Sequence, residues 1–214
     1  MKQKIKKTNN DELPYRMKDG DRYYRVTSLI SILNRPELNE LRGFKGNKEM
    51  DRIMNETATI GRIFHDQAVQ MVELREHYEY LINTTYDDIL EPMCKKYLEF
   101  ILENVVKAKC HEKTMFSKKF GYCGRIDDLY LFKNRKTYDL IDIKTSKIRH
   151  YSHALQLSAY KNLLKEHGIE CSNRYIISVP RDGSPVKMYK ITTDHNIDFY
   201  NFLHCKTLFI AVNN

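Results

Sequence analysis

GRIDDLYLFKNRKTYDLIDIKTSK, residues 124–147, sets acidic and apolar residues on either side of a short basic turn. The pattern reads as a hairpin. Pairing its arms about Asn134-Arg135 puts Asp127 opposite Asp142, Leu129 opposite Leu140 and Leu131 opposite Tyr138. Any even-length loop centred there keeps that register. Asn-Arg is not a favoured two-residue turn, so a four-residue loop is expected. Side chains alternate faces along a strand. Asp127, Asp142 and Lys144 therefore share one face, with Asp128 and Ile143 on the other. Like charges directly opposite one another destabilise a sheet. Either the stretch is not a hairpin, or something positive sits between the two carboxylates.

A divalent cation is one such charge. Mg2+ is hard, takes oxygen ligands and keeps several waters or substrate phosphate oxygens. Held on this face it would cancel the repulsion, activate a water and stabilise charge on a phosphate under attack. Lys144 would hold the attacking water or neutralise the developing charge. The carbonyl of Ile143 is a further candidate ligand. A solvated face with charges paired at random is the plainer reading of Asp-x-Lys alone.

Upstream, Tyr23–Val26 has strand character, and Thr27 or Ser28 suits the cap of a short helix ending near Asn34. Residues 37–57 are polar and mixed, with a glycine-containing turn. Ile60, Phe64, Ala68 and Met71 recur at helical spacing in a helix starting near Thr57. A further helix is expected from about Pro92 to Lys109. Residues 114–120, 125–132 and 137–144 read as strands, 152–167 as a helix stopped by Gly168, and 174–179 with 186–192 as a second hairpin. The order predicts an α/β fold: a mixed central sheet flanked by helices, with an N-terminal helical region. The expected divisions are a flexible basic arm over 1–21, a helical region over 22–109 and a core over 110–214.

The chain of 214 residues is long enough for one real core. Its 36 Lys and Arg against 28 Asp and Glu leave a charge of +8, which suits an anionic partner, most commonly nucleic acid. The five cysteines are odd in number and none stand as Cys-x-x-Cys, which excludes a disulfide framework and a zinc finger. Reduced thiols point to the cytoplasm. No apolar run reaches the ~18 residues of a membrane span, so no membrane partner is expected. MKQKIKKTNN has no apolar stretch behind its charges and is not read as a secretory signal.

Three elements follow one another closely: Gly124-Arg-Ile-Asp127, then Asp142-Ile-Lys144-Thr-Ser, then Gln156-Leu-Ser-Ala-Tyr160. Gln156 and Tyr160, four apart, share one helix face. Upstream stands Gly61-Arg-Ile-Phe-His65. Together these resemble the PD-(D/E)XK nuclease superfamily, and within it the RecB-like exonucleases, including phage, viral and mitochondrial-genome-maintenance-type members. The resemblance covers about 110–165 and, more thinly, 57–70. It implies a restriction-endonuclease-like core and a Mg2+- or Mn2+-dependent deoxyribonuclease, an exonuclease foremost, of phage, viral or bacterial DNA replication, recombination or repair. A phage or viral origin would place it in the host cytoplasm.

Carried over by position, Asp127 and Asp142 resemble the metal ligands and Lys144 the catalytic lysine. His65 would be another ligand or would orient a phosphate. Glu112 falls where relatives often carry a glutamate, at the metal or behind it. Gln156 and Tyr160 would position the lysine or bind the DNA backbone. The glutamate expected four residues beyond the histidine is Val69, with Glu73 one turn further as a substitute. The cysteines lack the grouping that holds an iron-sulfur cluster in some relatives, so none is expected. Lys118, Lys119, Arg125, Lys147 and Arg149 are candidate phosphate contacts. Tyr122, Tyr138 and Tyr151 could stack on bases, which suits single strands. Single-stranded DNA or DNA with free ends is the expected partner, alongside replication or recombination proteins. The rival readings are a flap or junction endonuclease, an inactive nucleic-acid-binding subunit on the same fold, and an α/β protein unrelated to nucleic acid.

Overall fold

The computed structural model describes residues 13–33, 36–74, 88, 90–146, 148 and 150–213. Among them the chain forms an α/β fold with two mixed sheets and six helices. A four-stranded sheet runs β1-β2-β5-β4: β1 is Tyr15–Lys18, β2 Asp21–Arg25, β4 Lys113–Ser117 and β5 Tyr122–Ile126. A five-stranded sheet runs β3-β6-β7-β8-β9: β3 is Val105–Lys109, β6 Asp128–Phe132, β7 Asp139–Lys144, β8 Arg174–Ser178 and β9 Lys187–Lys190.

The hairpin of 124–147 has the expected register. Asp128 pairs with Ile141, Leu129 with Leu140 and Tyr130 with Asp139. Its loop is longer than four residues, and its first arm is not one strand. The chain breaks at Asp127, so that Tyr122–Ile126 belongs to one sheet and Asp128–Phe132 to the other. The single central sheet expected from the sequence is thus two sheets joined at this point.

The expected arm over 1–21 is partly structured. Residues 1–12 lie outside the described residues, but β1 pairs antiparallel with β2. Asp19 and Gly20 turn between them with φ of 50° and 84°, the backbone a tight hairpin turn demands. Arg22 lies over the Tyr15 ring, 4.2 Å from its centre.

The helices are α1 Val26–Ile30, α2 Pro36–Lys45, α3 Asn47–Glu73, α4 Glu91–Asn104, α5 His150–Glu166 and α6 His195–Asn213. Three expectations change. Thr27 and Ser28 lie inside α1 and do not cap it; residues 37–57 are helical on either side of Gly46, where the expected glycine turn has φ 79°; and α4 stops at Asn104, because Val105–Lys109 pairs with β6. The C-terminal helix α6 was not anticipated.

Alternation along the five-stranded sheet feeds two cores. Leu129, Leu140 and Ile176 face α5 and α6, packing with Leu155, Leu163 and Phe202. Tyr130, Ile141, Ile143 and Ile177 pack with Phe64, Met71, Tyr97 and Ile101 from α3 and α4. Each such buried aliphatic or aromatic side chain contributes roughly 1.5–3 kcal/mol. Between the parallel strands β7 and β8, α5 is the crossover, and Gly168 ends it with φ 70°. Behind α5 the buried Arg174 guanidinium joins Ser158 at 2.6 Å and Asp198 at 2.8 Å. This layout holds α3, the end of β7 and the start of α5 around the break at Asp127.

Candidate active site

Asp127 stands at the break, one residue before the first rung of β6, Asp128 with Ile141, on the side of Asp142. Its Oδ2 accepts the Ile143 N–H at 2.8 Å, so the carboxylate is tied to the backbone between Asp142 and Lys144. Asp142 is wholly buried. Lys144 Nζ donates to its Oδ1 at 2.7 Å and lies equally close to Oδ2, while Gln156 Nε2 donates to Oδ1 at 2.9 Å. Gln156 also reaches the Tyr160 hydroxyl at 3.2 Å. Two residues apart on β7, Asp142 and Lys144 point the same way. One turn apart on α5, Gln156 and Tyr160 do too.

These charges perturb one another. Burial raises the Asp142 carboxyl, Lys144 opposes that, and the neighbouring Asp127 charge adds to the rise. Burial works against the Lys144 ammonium, but Asp142 and Asp127 outweigh it and raise its pKa. The positive charge beside the two aspartates is therefore Lys144.

On α3, His65 Nδ1 meets Glu112 Oε1 at 3.0 Å and lies 3.8 Å from Asp127 Oδ2. Its Nε2 faces the Ile143 carbonyl at 3.2 Å. Burial disfavours a charge on His65, yet Asp127 and the Glu112 hydrogen bond prevail and raise its pKa. With an acceptor at each ring nitrogen, the imidazolium is well satisfied. Burial pushes Glu112 up, but His65 and Arg125 together bring it below its usual range; Arg125 Nε is 2.6 Å from Glu112 Oε2. One donor atom each from His65, Glu112 and Asp127 lies within 4.8 Å of the others. An imidazole, two carboxylates and the adjacent Ile143 carbonyl are a donor set suited to Mg2+ or Mn2+. Asp142 stands outside this group, its carboxylate engaged by Lys144 and Gln156. Glu73 is exposed at the far end of α3 and does not join it.

A cleft of about 380 Å3 opens on these residues, lined by Arg16, Arg25, Arg62, Arg125, Asp127 and Lys144 among others. Sequence reading found only Arg125 of its four arginines. Arg16 and Arg25 lie on β1 and β2, and Arg62 on α3, about 80 to 130 residues before Lys144; only the fold joins them. Periodicity does mark Arg62, one turn before His65. Of the other proposed phosphate contacts, Lys118 and Lys119 are exposed on the turn after β4, apart from the cleft lining. Lys147 and Arg149 lie outside the described residues. Tyr151 lines a separate cavity with Lys190 and Ile191. Tyr122 is buried and donates to the Ala159 carbonyl at 2.9 Å. Tyr138 carries Lys109 over its ring at 4.1 Å.

Among the described residues no helix is long and apolar enough to cross a membrane. No protein-family model matches the chain, and no curated protein matches it. Among solved structures, the one described as "Crystal structure of SSO0001" is similar with a TM-score of 0.45 and 16% identity, covering 93% of this chain and 79% of that one.

Proposed function

We propose that the chain is a metal-dependent deoxyribonuclease with a restriction-endonuclease-like core, hydrolysing phosphodiester bonds from DNA ends. The observation that carries this reading is one convergence. Asp127, Lys144, Gln156 and Tyr160 line an arginine-rich cleft, with Asp142 held directly behind Lys144. His65, Glu112 and Asp127, with the Ile143 carbonyl, would hold Mg2+ or Mn2+. When bound, such an ion supplies charge neutralisation at the phosphate and acidifies a water. His65 must give up a proton to serve as a donor, so binding of the ion competes with protonation. Lys144, kept cationic by Asp142, faces the cleft where charge develops on a phosphate. Gln156 and Tyr160 fix the orientation of Asp142 and so of Lys144. The arginines grip flanking phosphates without reading bases.

The preference for ends comes from α3. At Gly61 the helix passes beside Thr145: a β-carbon there would sit in ordinary contact, 3.5 Å from Thr145 Oγ1. Arg181 Nη2 donates to the Thr57 carbonyl at 3.3 Å. These contacts tie α3 to the ends of β7 and β8 as a wall beside the site. A wall admits a strand end more readily than a continuous duplex.

The test is digestion of linear and circular DNA, single- and double-stranded, with Mg2+, Mn2+ or EDTA. Metal-dependent loss of linear DNA alone, abolished by Asp142→Ala and by Lys144→Ala, is expected. Cutting of circles would replace this with the flap or junction endonuclease reading. Salt-sensitive DNA binding without cleavage would make the chain a binding subunit.

A further inference from the structure

The chain passes between the two sheets twice, side by side. One passage runs from Lys109 at the end of β3 to Lys113 at the start of β4; the other runs from Ile126 to Leu129. Lys113 pairs with Ile126 and Lys109 with Leu129. Between those rungs Cys110, His111 and Glu112 oppose only Asp127 and Asp128. Three residues against two make a β-bulge, a device that bends a ladder and re-aims side chains. Here it delivers two carboxylates to one place.

The bulge holds an uncommon backbone. Cys110 and Glu112 have φ of 71° and 46°, a region that non-glycine residues rarely occupy. Such a conformation persists only when its surroundings over-determine it. The Glu112 N–H donates to the Asp127 carbonyl at 2.9 Å, and the Lys113 N–H to the Cys110 carbonyl at 3.1 Å. From the side chains comes His111 Nδ1 to Asp128 Oδ2 at 2.7 Å, while Asp128 Oδ1 accepts the Leu129 N–H at 2.7 Å. Asp128 is buried.

We propose that His111 and Asp128 are positioning residues for the cation site. His111 precedes Glu112 and Asp128 follows Asp127, so their one hydrogen bond clasps both carboxylate-bearing segments. In the clasped backbone Glu112 reaches His65. The inference rests on reading His65, Glu112 and Asp127 as the cation donors.

Mn2+ titration followed by electron paramagnetic resonance tests it on the full chain. Residues that orient metal ligands are typically worth about 10–100-fold in affinity. His111→Ala is therefore expected to weaken Mn2+ binding at least tenfold. His111→Asn, whose amide nitrogen stands near the position of Nδ1, is expected to restore most of it. Asp128→Asn, which keeps one oxygen, should fall between. In a Glu112→Ala background, His111→Ala should add less than it does to the wild type, because part of its effect passes through Glu112. A role in folding alone would leave the two losses additive, which circular dichroism on the metal-free proteins would accompany with a loss of structure. Equal affinity in wild type and His111→Ala, or full additivity in the double variant, overturns the proposal and leaves the cation reading standing. No Mn2+ binding by the wild type overturns the cation reading itself, and this proposal with it.

Discussion

Gly124 leaves no room for a side chain beneath Tyr160: a β-carbon there would overlap Tyr160 Cε1 and Cδ1 and lie 3.3 Å from Leu163 Cδ1. The absent side chain lets α5 settle against β5 closely enough for Tyr160 to meet Gln156, and Gln156 to meet Asp142. Gly124→Ala should therefore act twice. It should destabilise the fold by about 1–3 kcal/mol, as overpacking does, and it should lower nuclease activity by pushing Tyr160 out of line. Urea unfolding beside a digestion assay reads both. Adding Tyr160→Ala should recover stability relative to Gly124→Ala alone; no recovery would mean that the two positions do not compete for space.

Lys144→Met leaves the Asp142 carboxylate buried without its ammonium. Breaking one side of a buried ion pair costs about 3–5 kcal/mol, so the variant should be strongly destabilised at pH 7.5 as well as inactive. The loss should shrink as pH falls. Asp142 already has a raised pKa in the folded protein, and protonation removes the buried charge. A raised folded pKa favours the native state at low pH and loses that advantage as pH rises through it. Unfolding curves at pH 7.5 and 5 decide; an equal deficit at both would place Asp142 in a more solvated setting than its burial implies.

On the nuclease reading, each arginine of the cleft would grip a phosphate and release counterions on binding. Arg62→Gln should reduce the slope of log K against log salt for single-stranded DNA by about 0.7. Fluorescence anisotropy in EDTA, at several salt concentrations, gives the slope. Lys118→Gln, on the turn away from the cleft, should leave it unchanged. Identical slopes for Arg62→Gln and wild type would remove α3 from the binding surface.

His195 sits where α6 begins, its Nδ1 2.9 Å from Ser158 Oγ. Burial, with help from Arg174, lowers its pKa from 6.5 to about 4. The unfolded chain therefore takes up a proton first as pH falls. The stability that His195 contributes is present above 6.5 and is lost as pH drops toward about 4. His195→Asn should flatten that part of the pH–stability curve relative to wild type. Parallel curves for the two proteins across this window would show that the ring stays hydrated.

A cation bound only to the native state should raise stability by about 2.7 kcal/mol at a hundred times its Kd. Thermal melting with Mn2+ should show this for the wild type and not for a His65→Ala, Glu112→Ala double variant. A melting temperature indifferent to Mn2+ would count against the donor set.

Much of the candidate site was legible because its parts are close in sequence. The partners of Leu129 and Asp128 follow from centring the turn on Asn134-Arg135, and the shared face of Asp142 and Lys144 from alternation alone. The break at Asp127 was not legible: Arg125–Phe132 is a strand-like run of eight residues, and only pairing with β4 on one side and β3 on the other divides it. Residues 37–57 hid their helices because the stretch is polar, with Met50 the one buried hydrophobic among its described side chains. Helix α6 hid for the opposite reason. Phe202 and Phe209 are buried while Ile197, Tyr200, Leu208 and Val212 are exposed, so apolar residues surround the helix and leave no amphipathic stripe. Arg16 and Arg25 were missed because the pairing of β1 and β2 beside β5, not a motif, brings them to the cleft.

Helix α3 has 27 residues, a rod of about 40 Å at 1.5 Å per residue. Thr57, Gly61, Arg62 and His65 lie within about two and a half of its turns, and each meets a different part of the site. On the proposed reading, a rod so short between contacts could not answer a cation at His65 and a phosphate at Arg62 separately. Whatever seats one end of this segment would seat the other, and the two ligands would share one equilibrium. By linkage, any gain in DNA affinity on adding metal must be matched by an equal gain in metal affinity on adding DNA.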